Sequence, residues 1–285
     1  MIIQQKTRAD EAWKLQRQTE RENTVALRDA AVTEITSKPE AYAKYLDLQG
    51  ANPQYSAGNI GLALYQLDNA TLLGTKERWN ALGRTILPAE VDRGAKIFVR
   101  TNPAQRRGYS IGDAYDVSQT QGRPARQLHL LPDTPQMERA LAALLNFAPC
   151  PVLADPQQSG AAWYDPKRME LLVNPNADDG TAFAAIAAEI AQARFHAKGL
   201  NGLYDRTIST LDAESISYLI CRRVGLSRPL PDLSSISAYY DGFDTEQRGA
   251  ALSHIQEMAK KIGNSVERSI IPQQRSQGHP GRPVR

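Results

Sequence analysis

The chain has 285 residues, of which 41% are hydrophobic and 23% charged, and a net charge of +3; this composition excludes a disordered or fibrous protein and leaves room for two ordinary domains. No run of 18 apolar residues is present and the N-terminus is polar within a few residues, so we predict a cytoplasmic protein without a membrane partner. Cys150 and Cys221 are far apart, which excludes a cysteine zinc knuckle and fits a reducing compartment.

The first half of the chain predicts short helices followed by a hairpin. Residues 1–37 predict a polar helical extension, because apolar residues are sparse among Lys, Arg, Glu and Gln. Ser56 is a predicted helix cap and Gly83 a predicted helix end. In the rest of this half, helices are expected over 39–48, 56–67 and 76–82 and strands over 95–99 and 109–117. A linker is expected over 119–126.

The second half predicts a small sheet surrounded by helices. Thr134 followed by Pro135 is typical of a helix start. Strands are expected over 151–154, 161–164 and 169–173, and helices over 181–199, 212–224, 234–241 and 245–267. Residues 268–285 contain Pro, Gly and four arginines without an acid, and they predict a disordered basic tail.

The helix over 181–199 is alanine-rich, and its composition alone favours a helix packed into a core with Glu189 near the rim. The segments beside it add a second interpretation. The sequence AWYDPKRMELLVNP begins at Ala162 and precedes the helix, and AESISYLICRRVGL begins at Ala213 and follows it. This order resembles the metallopeptidase-like domain of ArdC-type antirestriction proteins, in which a hairpin ending in VNP precedes a helix of the form LxHExAHA, and a later AESxAYxxC helix supplies a third metal ligand.

The resemblance implies a role for four positions. Glu189 matches the general-base glutamate, Glu214 matches the third ligand, and Ala188 and Gln192 stand where the family has its two zinc-binding histidines. Histidines at i and i+4 share one helix face and can bind one metal, but alanine has no donor atom and a glutamine amide is a poor zinc ligand. We therefore expect no cofactor, no bound metal and no peptidase activity, with Glu189 and Glu214 facing each other across an empty, vestigial site.

Segments of the first half resemble the N-terminal domain of the same family, which binds single-stranded DNA. They are YSAGNIGLA from Tyr55, GTKERWNALGR from Gly74, AKIFV from Ala95 and YDVSQT from Tyr115, and with the second half the resemblance covers 38–266. A protein that binds single strands needs cations along a groove and aromatic rings for stacking. The candidate DNA-binding residues are Tyr55, Asn59, Arg78, Arg84, Lys96, Arg100, Arg106, Arg107 and Tyr109.

Some of these candidates, and Trp79 beside them, also have a purely structural interpretation. Asn59 could be a buried polar anchor, the arginines of 100–107 could lie in a solvated loop, and Trp79 is favoured as a core residue. Glu90 and Asp92 lie in a segment that is usually lysine-rich in the family, which departs from a DNA-binding pattern.

The sequence thus predicts an α+β protein of two domains. The expected parts are the extension 1–37, an ArdC-like domain 38–126, a degenerate metallopeptidase-like domain 127–267 that is helical with a small antiparallel sheet, and the tail 268–285. The predicted function is that of an accessory protein of a plasmid, phage or conjugative element that binds single-stranded DNA. Two alternatives remain. One is a metal-free interaction module with a protein or peptide partner at the vestigial cleft. The other is a metallopeptidase with an altered ligand set that uses His196.

Overall fold

The computed structural model describes residues 2–101, 108–125, 127–198 and 204–271. Arg106, Arg107, Gly199 and the tail beyond 271 lie outside these residues, so the predictions made for them stay predictions. None of the helices in the described ranges combines the length and the apolar character that a membrane span requires.

The described residues of the first half form four α-helices and five strands. They are α1 (Ile2–Ile35), α2 (Pro39–Ala51), α3 (Ala57–Gln66), β1 (Leu73–Gly74), α4 (Lys76–Ala81), β2 (Arg84–Ile86), β3 (Ala95–Arg100), β4 (Tyr109–Asp116) and β5 (Thr120–Gly122). The predicted caps are confirmed: the Ser56 side chain accepts from the Asn59 N–H, and Gly83 adopts a φ of 73° after α4. The predicted linker contains a strand instead, because β5 pairs with β2.

The second half contains a three-stranded sheet and five helices. They are α5 (Pro135–Leu145), β6 (Val152–Ala154), β7 (Ala162–Asp165), β8 (Glu170–Val173), α6 (Asp179–Lys198), α7 (Arg206–Val224), α8 (Ile236–Tyr239) and α9 (Thr245–Ile270). The Thr134 cap of α5 is confirmed. Helix α7 begins six residues before the predicted start, because the Asp205 side chain accepts from the Thr207 N–H and caps it there.

The chain forms three small sheets. Strands β1, β4 and β3 are antiparallel neighbours in that order, and β2 pairs with β5. In the third sheet the β7–β8 hairpin is antiparallel as predicted, but β6 adds to the other edge of β8 in the parallel direction. This sheet is therefore mixed, which the prediction of an antiparallel sheet did not include. The α+β class is confirmed.

The main core draws on both halves of the chain. Tyr42 and Tyr45 of α2 are fully buried in the same cluster as Ile216 of α7 and Ile255 of α9, and the Tyr42 hydroxyl lies 3.0 Å from the Ser215 Oγ. Val32 and Ile35 near the end of α1 belong to this cluster, so the predicted extension is not separate from the core at its C-terminal end. Because one core crosses the boundary expected at 126, the division into two domains is not confirmed and stays a prediction.

Candidate functional site

The helix that carries the vestigial motif, α6, runs through the interior of the protein. The Asp178 carboxylate accepts from the Thr181 N–H at 2.9 Å and fixes the start of the helix. From Ile186 to Ala193 every residue is buried. Its many alanines allow α7 and β7 to pack closely against it. As a result Glu189, the predicted general base, is only 8% exposed, and a carboxylate at such a depth needs partners.

Glu189 has two partners. Its Oε2 accepts from the Tyr164 backbone N–H on β7 at 2.8 Å, and its Oε1 forms an ion pair with Arg206 at the start of α7. The Arg206 guanidinium carbon also lies 3.7 Å from the centroid of the Trp163 ring, a cation–π distance. One arginine therefore connects α6, α7 and β7, and it neutralises the carboxylate that a zinc peptidase would use as its base.

Gln192, one of the two residues at the predicted ligand positions, is also occupied. Its Oε1 accepts from the Tyr204 hydroxyl at 3.0 Å and from the Ser209 Oγ at 2.7 Å. Two donors use the acceptor capacity of an amide oxygen. The other ligand position is Ala188, which is buried and offers no donor atom.

His196 contacts tyrosines. Its Nδ1 lies 2.7 Å from the Tyr164 hydroxyl, and its ring stacks on Tyr204 with the centroids 4.6 Å apart. Burial raises the pKa of both Tyr164 and Tyr204. This ring cluster closes the C-terminal end of the vestigial site.

Glu214 does not join this arrangement. Its carboxylate forms an ion pair with Arg228, so Glu189 and Glu214 are held by different arginines and share no partner. The α7 residue that contacts Gln192 is Ser209. Five residues of α-helix turn through about 140° beyond a full turn, which places Glu214 on a different side of α7 from Ser209. The expected pair of carboxylates across an empty site is instead divided between two ion pairs.

These contacts do not fit the metal that the resemblance implies. Tetrahedral zinc sites use thiolates, imidazoles and carboxylates that are free to bind the ion. Here Ala188 lacks a donor atom, and Gln192 is an amide whose oxygen accepts two hydroxyl hydrogen bonds. The carboxylates of Glu189 and Glu214 are each in an ion pair with an arginine. Within the described residues, no three His, Cys, Asp or Glu side chains are grouped as metal ligands would be.

Four of the predicted DNA-binding residues hold the fold together. The Asn59 amide bonds both the N–H and the carbonyl of Phe98 at 3.0 and 2.9 Å, so it anchors β3 to α3. Arg84 donates to Thr120 and to the Val117 carbonyl. Tyr55 is half-buried between the two core clusters.

The fourth, Lys96, forms an ion pair with Asp113 across the β3–β4 hairpin at 2.8 Å. Trp79, favoured as a core residue, is 2% exposed and donates to the Tyr115 carbonyl, which confirms that interpretation.

Two of the predicted residues meet at an exposed position. Arg100 and Tyr109 are cross-strand partners at the loop end of the β3–β4 hairpin, and Tyr109 is 51% exposed. Arg21 of α1 donates to the Tyr109 carbonyl at 3.4 Å, which brings a second cation to this end. We call Arg21, Arg100 and Tyr109 the hairpin end.

Arg78 lies elsewhere, in a cleft that the sequence did not reveal. This cleft of about 1430 Å³ lies between the α2–α4 region and helices α7 and α9. We call it the basic cleft because it is lined by five arginines and one lysine: Arg78, Arg123, Arg222, Arg223, Arg228 and Lys260. These cations come from segments that are distant in the sequence. The one local signal is the doublet Arg222-Arg223 followed by Arg228, which could have drawn attention to the end of α7.

No protein-family model and no curated protein sequence matches the chain. The solved structures that are similar to it include two of the antirestriction protein ArdC from the R388 plasmid. The metal-free crystal structure is 14% identical, with a TM-score of 0.52 over 86% of this chain and 97% of that chain. The Mn(II)-bound structure is 15% identical, with a TM-score of 0.51 over 87% and 99% of the two chains. The chain therefore has an ArdC-like fold, as the resemblance of its motifs predicted.

Proposed function

We propose that this protein is an antirestriction-type accessory protein of a mobile element, that it binds single-stranded DNA, and that it has no peptidase activity. The ArdC-like fold supports the first part, because the similar structures are of an antirestriction protein from a plasmid. The exposed ring and cations of the hairpin end support the second part. The third part rests on the ion pair between Arg206 and Glu189.

The proposed lack of peptidase activity rests on the partners of Glu189 and on the missing metal ligands. A general base must be free to accept a proton from a water molecule, whereas Glu189 is bound by the Tyr164 N–H and by Arg206. Ala188 and Gln192 supply no imidazole to activate that water. The remaining arrangement is a buried network that joins α6, α7 and β7, and we assign it a structural role.

Metal analysis tests this part. We expect protein purified without a histidine tag to contain only traces of zinc and manganese, and we expect no cleavage of an unfolded protein substrate with or without added metal, because the donor set does not suit either ion. The matched variant is Glu189→Gln, which should behave like the wild type in both assays. Zinc near one equivalent per chain, together with cleavage that Glu189→Gln abolishes, would instead establish the altered-ligand metallopeptidase.

Tyr109→Ala tests the DNA-binding part. We expect this change to weaken binding of a mixed-sequence single-stranded oligonucleotide by roughly 5- to 150-fold, because stacking of a base on an aromatic ring contributes about 1–3 kcal/mol. Fluorescence anisotropy at low salt measures the effect. The control is Tyr65→Ala, since Tyr65 is a comparably exposed tyrosine on α3, and it should leave the affinity unchanged.

Two results would count against DNA binding at the hairpin end. Wild-type protein that shows no salt-sensitive affinity for the oligonucleotide would remove the proposed function. Equal losses in the Tyr109 and Tyr65 variants would remove the assignment to the hairpin end. A single partner protein recovered in a nuclease-insensitive pull-down, without DNA affinity, would favour the interaction module.

A further inference from the structure

We propose that the basic cleft is a second contact region for single-stranded DNA, where the protein binds the phosphate backbone and not the bases. This inference rests on the proposed function, and it assigns part of the binding to residues of α4, α7 and α9 and to Arg123.

The positive charge of the cleft is only partly compensated by carboxylates. Its two acidic residues in the described chain, Asp47 and Glu267, are already paired: Arg222 lies 3.4 Å from Asp47, and Arg223 forms an ion pair with Glu267. Among the described residues no carboxylate pairs with the other three exposed or half-buried cations, which are Arg78, Arg123 and Lys260. Cations gathered in a cleft without counter-charges attract an anionic ligand.

Arg228 adds a fixed donor to the cleft wall. Its side chain is 11% exposed and pairs with Glu214 through Nη2, whereas its Nη1 has no hydrogen-bond partner in the described structure. A buried guanidinium N–H without a partner is costly, and a phosphate oxygen is an acceptor that guanidinium groups bind well. Because this Nη1 has no exposed surface, a phosphate would reach it only after a small movement of the Arg228 side chain.

The size of the cleft favours a polymer. Its volume of about 1430 Å³ exceeds the roughly 300–1,000 Å³ that is usual for small-molecule pockets. The cations come from separate elements of the chain, whereas a site for a single phosphate needs its donors to converge on one point. An extended strand of phosphates matches this distribution, and the ArdC-like fold together with the proposed function favours DNA over an acidic protein.

The two large aromatic side chains of the cleft, Trp79 and Tyr218, are not available for stacking. Trp79 is 2% and Tyr218 is 8% exposed, and the Tyr218 hydroxyl donates to Asp47 at 2.8 Å. Contacts to phosphates carry no direct sequence information. We therefore expect the cleft to bind DNA without regard to base sequence, and any contact to bases to come from the hairpin end.

The test is the double variant Arg78→Gln/Lys260→Gln. Neither residue is in an ion pair of the described structure, so we expect its melting temperature to equal that of the wild type. The affinity for a mixed-sequence single-stranded oligonucleotide should fall roughly tenfold at low salt. The negative slope of log K against log salt should become less steep by about 1.4, because each phosphate contact on a single strand contributes about 0.7 to its magnitude. The matched control is Lys44→Gln/Lys261→Gln, which removes two exposed helix lysines outside the cleft and should leave both quantities unchanged.

Four results would overturn the proposal. If the wild type binds and Tyr109→Ala weakens binding while the cleft variant does not, the cleft is not a DNA site, although the proposed function stands. If the control variant loses as much as the cleft variant, the effect is one of overall charge. If polyglutamate or a mononucleotide competes as well as the oligonucleotide at equal charge, the cleft binds acidic chains or single phosphates. Wild-type protein without any DNA affinity would remove the proposed function and this inference with it.

Discussion

Replacing Arg206 by alanine is expected to lower the free energy of unfolding by about 3 kcal/mol, because removal of one partner from a buried ion pair leaves the other charge uncompensated. The Glu189 side chain is 10% exposed and the Arg206 side chain 27%, so water replaces the lost guanidinium only in part. The stacking of Arg206 on Trp163 is lost as well, which adds to the effect. Urea denaturation followed by far-ultraviolet circular dichroism measures the change.

A double-mutant cycle separates the ion pair from the packing of the arginine. Glu189→Gln alone should cost less than Arg206→Ala, because an amide oxygen can still accept from the Tyr164 N–H and Arg206 can turn towards solvent. In the double variant no charge is left buried, so the loss should be smaller than the sum of the two single losses by about 2 kcal/mol. Strictly additive losses would show that the pair does not hold α6 to α7. None of these variants should gain peptidase activity.

The partners of Glu189 and Gln192 could not be predicted from the sequence pattern. The predicted α7 began at 212, so Tyr204, Arg206 and Ser209 were assigned to no element, although they supply the partners of Glu189 and Gln192. A local signal was present: Asp205 two residues before Thr207 is a helix cap. With the correct start, the rotation between Ser209 and Glu214 would have shown that the motif match of Glu214 does not bring it to Gln192.

Features that depend on a few neighbouring residues, such as helix ends, could be predicted from the sequence. Ser56, Gly83 and Thr134 mark helix ends through bonds or dihedral angles within a few residues, and the structure has them as predicted. The roles of polar residues were harder to predict, because the residue type does not show whether a side chain forms its hydrogen bonds within the protein or with a ligand. Asn59 and Arg84 have the right chemistry for DNA, but their donors are taken by Phe98 and by the β5 region. The basic cleft depends on packing between distant segments, which no pattern in one sequence reports.

Replacing Asp212 by asparagine is expected to remove a fall in stability between about pH 4 and pH 6. Asp212 lies on α7, where its Oδ1 is buried without a hydrogen-bond partner, and burial raises the pKa of its carboxyl from 3.8 to about 6. Between these two values the folded protein binds more protons than the unfolded chain, so the stability that this group contributes is fully present below pH 4 and is lost as the pH rises through 6. The difference of about two pKa units corresponds to about 3 kcal/mol.

The asparagine variant should therefore be similar in stability to the wild type at pH 4 and more stable above pH 6. The net gain at pH 8 is expected to be about 1–2 kcal/mol, because the amide hydrogens also need partners that the site does not provide in full. The measurement is the free energy of unfolding in urea from pH 4 to pH 8 for both proteins, and the readout is the difference between them, since other carboxyl groups contribute to each curve. Asp241→Asn is the control, as Asp241 is exposed near the same helices, and it should give a difference that is flat with pH. A flat difference for Asp212→Asn as well would mean that the Asp212 carboxylate is solvated in the folded protein and that its burial against α8 does not hold in solution.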